Sequence, residues 1–498
     1  MDAVKIGGQV LYVFAGGLFT FLIGLPLQIF VVRSLGAEQF GAYSIVEGAL
    51  ATISGFLSLG IAPTVVRFVP EHIARGESGH VRSLVVLASV ALLTVGLAGA
   101  SLTALGSREV IGWWGINPNT QNLIAVMVLT IPIGLLTFLY QQILRGFQEI
   151  FIMIFISSVV TLTAKAALSV VLIHSGWGTI GYAWAVVLSS GLGLTLLATA
   201  ALSILCRLDA PGKQITRPTR LWIRYASVWY ANGLFSTAFQ YLDRFIIGAL
   251  IGSEGVAALV IARQLQQLPQ TLFNMFITVV GPMFAANRGP RLNSIYQLTT
   301  NWCMRLGLPL VFFLMVFASP ILSWYGKSFP TGGTPRLVQL LLLSTLICMS
   351  FGPIGNLLMM AGCELKMFRV TIAQTAATIA SYLIFIPLFG IIGLGFAVVI
   401  STILGNVWAF RIAKSQFGDI WSAPRYMSWV LAMALSLSSL VTLRALWSED
   451  ASAVWLMANL IIGYIAFFSG NFVSGFHSED RELYSAVIAR LKATARHG

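Results

Sequence analysis

The sequence predicts an all-α polytopic membrane protein of about 14 transmembrane helices, arranged as two parallel six-helix repeats with two extra C-terminal helices. Three observations predict it. The 498 residues are 57% hydrophobic and 9% charged, with a mean hydropathy of +0.86, whereas a soluble domain is roughly half apolar and a quarter charged. Apolar stretches of about 18 residues or more recur from end to end, each long enough to cross a bilayer. Short motifs in the first half return in the second at a near-constant distance.

The elements follow from the apolar runs and from the charges between them. The first run, 8–32, follows Lys5 and is too long for the core of a cleavable signal peptide, so it reads as the first helix. A second, 42–66, leads into a connection holding Arg67, Arg75 and Arg82. Helices three to six occupy 83–106, 122–144, 150–173 and 180–205, with Arg145 between the fourth and fifth. The polar stretch RLDAPGKQITRPTRLWIR, 207–224, then supplies five basic residues, Arg207, Lys213, Arg217, Arg220 and Arg224. Helices seven to ten occupy 226–252, 256–285, 299–325 and 337–360, with Arg288 and Arg291 between the eighth and ninth. Lys366 and Arg369 precede or open 368–389; then come 391–410, a basic connection (Arg411, Lys414, Arg425), 427–446, 453–474 and a basic tail. The domain organisation is therefore an N-terminal bundle over 1–206, a cytoplasmic linker over 207–225, a C-terminal bundle over 226–415, helices 13 and 14 within 416–476, and a cytoplasmic tail, 477–498.

The net charge of +13 could point to nucleic acid, but its placement points to topology. With the N-terminus inside, roughly 21 of the 30 basic residues fall on cytoplasmic connections and tails. The opposite side holds only Arg33, Arg108, Lys327, Arg336 and Arg444. This positive-inside pattern predicts a multi-pass membrane protein with both termini cytoplasmic and no nucleic-acid partner. The cysteines, Cys206, Cys303, Cys348 and Cys363, lack CxxC spacing, and the histidines are scattered, so neither disulfides nor a metal site is expected. GWGTIG at 176–181 matches G-x-G-x-x-G but joins two membrane helices without a βαβ context, and no phosphate-binding G-x-x-x-x-G-K-[ST] loop is present. No cofactor and no enzymatic activity are expected.

The repeats are short but separated. LGAEQFGAYS at 35–44 returns as IGSEGVAALV at 251–260, Gly146 in LRGFQE matches Gly362 in MAGCEL, and GWGTIGYAWAVVLS at 176–189 returns as LFGIIGLGFAVVIS at 388–401. Six helices per repeat give both halves the same orientation, an arrangement that builds transporters with the substrate path between the halves.

Ionisable residues inside spans are expensive and mark pathways or structural pairs. Asp243 and Arg244 lie side by side in FQYLDRFIIGALIGSEG, 239–255, and Lys165, Arg263 and Arg305 also fall within spans. The hairpin turn near Ser253 puts Asp243 and Arg263 level with one another, near mid-membrane, and the repeat makes Glu47 the counterpart of Arg263. Two readings of Asp243 stand: a partner that merely neutralises Arg244 or Arg263, or a member of a working site. Lys165 and Arg305 also read as charges reaching for the membrane surface, and Gln240, Asn232 and Asn274 suit sugar contacts or helix–helix hydrogen bonds equally.

RSLGAEQFGAYSIVEGALATISGFLSLGIAPTVVRFVPEH, 33–72, resembles the first hairpin of bacterial polysaccharide (O-antigen and exopolysaccharide) flippases, and YLDRFIIGALIGSEGVAALVIARQL, 241–265, resembles their seventh and eighth helices. These flippases belong to the multidrug/oligosaccharidyl-lipid/polysaccharide exporter superfamily. The resemblance implies two bundles facing a central cleft that opens alternately to either side. The implied cargo is an undecaprenyl-pyrophosphate-linked oligosaccharide moved from the inner to the outer leaflet. On that reading Arg244, Arg263, Arg305 and Lys165 bind the substrate's negative charge, and Glu47 and Asp243 gate the site or carry a coupling proton or sodium ion. A Glu47–Arg263 pair would close one side of the cleft. The lipid bilayer and the polysaccharide polymerase machinery are the expected partners. An ion-coupled multidrug exporter, a lipid II flippase and, from another class, a membrane polysaccharide polymerase or ligase are the alternatives.

Overall fold

The computed structural model describes residues 3–113, 120–207, 222–223, 226–227, 229–230, 241–286, 289–330, 332–418, 429–446 and 452–474. Most of the interdomain linker, the C-terminal tail, Asn232 and Gln240 lie outside the described residues. What is described is nearly all helical, and nine helices are long and apolar enough to span a membrane. Two of these, Ala15–Leu57 and Ile150–Arg207, run to 43 and 58 residues. At about 1.5 Å per residue each exceeds twice the roughly 30 Å hydrocarbon core. Each is broken at a glycine: Gly36 has φ 80°, ψ 168°, and Gly176 has φ 85°. The chain folds as two compact units, Met1–Ala258 and Leu259–Gly498.

In the first unit, α1 (Ala3–Leu57), α2 (Ile61–Ala74), α3 (Ser78–Trp113), α4 (Thr120–Met127) and α5 (Thr130–Gly146) precede a segmented run. That run is α6 (Ile150–Ile154), a π-helical turn at Phe155–Val160, α7 (Thr161–Leu172), a second π-helical turn at Ile173–Trp177, and α8 (Gly178–Arg207). The short α9 (Leu242–Leu250) follows, and α10 (Ser253–Ala286) begins after Gly252. The second predicted helix does not run unbroken to residue 66: Leu59 and Gly60 take positive φ (50° and 65°) and end α1. Pro63 therefore sits in the first turn of α2, where a missing N–H leaves no ladder bond unmade. Helices α1, α2, α3 and α8 all pack against α5. α10 approaches α1 closely, since a Cβ built on Gly41 would lie 1.8 Å from the Ser253 carbonyl oxygen.

The second unit holds the rest of α10, α11 (Pro290–Val316), α12 (Ala318–Ser323), α13 (Thr334–Phe351), α14 (Ile354–Met360), α15 (Glu364–Phe389), α16 (Ile391–Phe417), α17 (Trp429–Ala445) and α18 (Ala453–Ser474). Its core joins Phe284, Leu292, Tyr296, Leu357, Leu358 and Val370 to Ala409 and Ala413 of α16. α17 and α18 pack on each other and against α11. Tyr464 donates its hydroxyl to Leu306 O at 2.7 Å, and Phe317 meets Trp455 edge-on.

The duplication is visible in backbone geometry. Gly178 (φ 52°, ψ −132°) and Gly390 (φ 58°, ψ −139°), matched in sequence, share one rare conformation, and Gly36 and Gly252 both have positive φ. α8 buries Gly181, Ala185, Ser189, Gly193, Leu197 and Ala201 along one stripe; α16 buries Gly393, Ala397, Ser401, Gly405, Ala409 and Ala413 along its counterpart. Small residues at every fourth position let membrane helices approach closely. One sequence match is corrected. The structural counterpart of Gly362 (φ 85°) is Gln148 (φ 61°), not Gly146. The same helix-ending bonds surround both, with Glu149 N–H donating to Leu144 O and Cys363 N–H to Leu358 O. A glycine usually takes that left-handed position, so identity matching settled on the nearest glycine instead.

Candidate functional site

α1 presents Tyr43 and Glu47 one turn apart, and the two touch: the Tyr43 hydroxyl lies 3.4 Å from Glu47 Oε1. From α9, Arg244 donates through Nη1 to Glu47 Oε2 at 3.0 Å and to Ser44 O at 3.1 Å. Its guanidinium also stacks 4.9 Å over the Tyr241 ring. Gly48 leaves room for the arginine stem, because a Cβ there would stand 3.3 Å from Arg244 Cδ. Tyr43 packs against Tyr182 of α8 (centroids 4.7 Å apart), and Lys165 of α7 sets its ammonium 5.4 Å from that ring centroid. Glu47, Arg244 and Lys165 thus form one cluster, bridged by tyrosines.

The partner that the structure gives Glu47 is Arg244, where sequence reasoning paired it with Arg263. Asp243 does something else: buried in the first turn of α9, it accepts the Arg244 backbone N–H at Oδ1, 2.8 Å. A carboxylate at a helix start satisfies donors that the helix leaves unpaired. Arg263 lies in the second unit, where its Nη1 donates to Gln266 Oε1 at 3.1 Å. The Gln266 amide in turn donates to Leu341 O, Ser344 Oγ and Thr345 Oγ1, which fixes its orientation. Arg305 is 3% exposed, over the Trp302 ring, among packed helices. Asn274 is exposed.

Each unit contains a cavity with polar side chains in its wall. The first, about 670 Å³, is lined by Tyr43, Glu47, Ser54, Thr130, Thr137, Gln141, Ser157, Thr161 and Ser190 among others. The second, about 350 Å³, is lined by Arg263, Gln266, Gln270, Ser344, Gln374 and Asn406 among others. Their walls correspond: Val186, Ser190, Gly193 and Leu197 line the first, and Val398, Thr402, Gly405 and Ala409 stand at the same repeat positions in the second. Glu47 and Arg263, also repeat equivalents, face the two cavities with opposite charge. The sequence reading missed the tyrosines and the hydroxyl lining. A signal was present, since Ser54/Ser58, Thr130/Thr137/Gln141 and Ser157/Thr161 make polar stripes at helical spacing on otherwise apolar helices.

The sequence profile described as "Polysaccharide biosynthesis protein" matches residues 6–287, more than half of the chain. The chain belongs to the polysaccharide biosynthesis protein family. A relative from Shigella flexneri, the "Putative O-antigen transporter", is 24% identical over 249 residues. That alignment takes in 47% of this chain and 56% of the relative, so the chain spans little more than half of the curated protein it matches. Among solved structures, the lipid II flippase MurJ in an inward closed conformation superposes with a TM-score of 0.72 at 16% identity, over 93% of this chain and 98% of that one. An inward-facing multidrug resistance MATE transporter of the MOP superfamily gives 0.64 at 17% identity, over 80% and 95%. A MOP superfamily transporter from Pyrococcus furiosus gives 0.58 at 16%, over 82% and 95%. At these identities the likeness is one of fold, and it makes this a multi-pass membrane protein of the MurJ and MATE architecture.

Proposed function

We propose that this protein is a flippase that moves an undecaprenyl-pyrophosphate-linked oligosaccharide from the inner to the outer leaflet of the cytoplasmic membrane by alternating access. Family membership, the O-antigen transporter relative and the shared transporter fold support a flippase-type transporter. The observation that carries the finer reading is the Glu47–Arg244 pair. Arg244 makes a one-oxygen contact with Glu47, from a side chain 19% exposed to a carboxylate 43% exposed. A diphosphate offers the guanidinium fork a bidentate alternative with more charge, so cargo displaces Glu47 rather than adding to it. In this reading Arg244 and Lys165 receive the pyrophosphate, while in the second unit Arg263 offers its charge to that unit's own cavity and Arg305 is packed among helices. Glu47, released on loading, carries the coupling proton or answers a sodium ion, and Asp243 holds the start of α9 so that Arg244 is aimed. The polymerase machinery would consume the product on the outer face.

The test is reconstitution. Purified protein in vesicles loaded with a polyprenyl-pyrophosphate oligosaccharide is assayed for how much glycan becomes accessible to an external glycosidase. Wild type is expected to move glycan across and Arg244→Gln to lose that activity while still folding. Equal movement in vesicles without protein, or full activity in Arg244→Gln, sinks the reading.

A further inference from the structure

The hydroxyl-lined cavity of the first unit is not explained by the ion pair at its edge. At about 670 Å³ it falls within the roughly 300–1,000 Å³ typical of small-molecule sites. Polar side chains in membrane bundles commonly serve as glue between helices. Here they mostly do not. Ser54 donates to Leu50 O and Thr161 to Ile156 O, each a carbonyl of its own helical run. Such hydroxyls spend their proton locally and keep oxygen lone pairs for something else. Thr137 Oγ1 is buried and, among the described residues, has no hydrogen-bond partner at all. Between segments, Gln141 Nε2 donates to Ser157 Oγ at 3.0 Å, and at the edge of the cavity Glu47 accepts from Arg244.

The polar part of the wall therefore offers mainly acceptors, together with the Glu47 carboxylate, the rest of the wall is apolar, and neither Lys nor Arg is among its described lining residues. Among the described lining residues the only full charge is the Glu47 carboxylate, so an anion finds no counter-charge on these wall residues themselves. A neutral ligand with many O–H donors fits, and the rings of Phe138 and Trp229 on the same wall supply flat apolar surface for the C–H face of a pyranose. We infer that this cavity is a binding site for uncharged sugar residues, adjoining the arginine to which the proposed function gives the diphosphate. The inference rests on the transport reading only for what the sugar is attached to.

Gly134 gives a clean way to fill the cavity. It lines the wall, and a Cβ built there meets nothing within 4 Å, so Gly134→Leu projects into open space. Full-length protein in nanodiscs is titrated with maltotriose as the neutral probe and tetraphenylphosphonium as an organic cation, with binding followed by saturation-transfer NMR. Wild type is expected to bind maltotriose saturably. Gly134→Leu should weaken it at least about tenfold, and the near-isosteric Thr137→Val should weaken it several-fold by removing one hydroxyl. No saturable binding by wild type overturns the inference, as does undiminished binding in a folded Gly134→Leu protein. Displacement of the sugar by a tighter-binding tetraphenylphosphonium also overturns it, making this a cation site. If Gly134→Leu fails to fold, unchanged binding in Thr137→Val decides against the assignment. Maltotriose binding by a wild type that moves no lipid-linked glycan upholds the cavity assignment while sinking the transport reading.

Discussion

Arg244 and Glu47 carry the sharpest prediction at the scale of single residues. Both side chains see open space, so the pair contributes little to stability, on the order of 1 kcal/mol; its importance lies in which oxygen the guanidinium holds. Glu47→Arg and Arg244→Glu should each abolish glycan movement by leaving like charges opposed, and the double swap should restore part of it. No recovery in a double variant that melts like wild type would separate the pair from transport. A second prediction concerns the turn between α2 and α3. His72 Nδ1 lies 2.7 Å from Glu77 Oε2, and the His72 ring stacks on His80 at 5.3 Å. The hydrogen bond from His72 first, helped by the nearby charges of His72, His80 and Arg75, holds the Glu77 carboxyl below its ordinary value. A lowered carboxyl stabilises the fold above the unfolded-state value and loses that contribution as pH falls through the folded one. Acidifying toward pH 4 should therefore lower the melting temperature of wild type more than that of Glu77→Gln; equal losses count against the account. How much of this was legible differs by residue. Every charged member of the Glu47 cluster stood out in the sequence, because charge is conspicuous in apolar runs. Their pairing did not, since the repeat aligned Glu47 with Arg263 but says nothing of which arginine reaches it from α9. Tyr43 and Tyr182 stayed hidden because tyrosine is ordinary in a membrane helix.

Among the elements, the way helices meet depends on where side chains are missing. Gly41 sits in the motif that returns around residue 257, and the start of α10 rests against its bare backbone. Gly41→Ala should push α10 off α1 and destabilise the protein by about 1–3 kcal/mol, an overpacking penalty, read as a lowered melting temperature in detergent. Gly134→Ala, with open space around it, should melt like wild type or slightly higher, since alanine favours helix over glycine. A Gly41→Ala protein as stable as wild type would mean that the approach relaxes at no cost. Apolar length announced the helices well, but their ends less so. Leu59–Gly60 breaks α1 inside an unbroken apolar run, because hydropathy does not register a backbone that turns. The π-helical turns flanking α7 are likewise silent in composition; each inserts a residue that shifts the repeat register, as the drifting match between the halves records.

For the whole molecule, the two halves share a frame and differ in the charge they place in it. The frame is kept in both halves, in the small-residue stripes of α8 and α16 and the matched Gly178 and Gly390, while the cavities bear Glu47 in one and Arg263 in the other. On the proposed reading the cargo is likewise unlike at its two ends, neutral sugar and diphosphate. Moving such a cargo in one direction needs a fixed orientation in the membrane, which the positive-inside bias predicts. Arg75, on the turn after α2, and Lys327, after α12, are both exposed and are assigned to opposite faces. In a background with Cys206, Cys303, Cys348 and Cys363 replaced by alanine, a single Arg75→Cys should react with a membrane-impermeant maleimide only after cells are opened. Lys327→Cys should react in intact cells. Each substitution removes one basic residue from a bias of roughly 21 to 5, too little to invert the protein. The reverse labelling pattern would put the basic connections outside and overturn the predicted orientation.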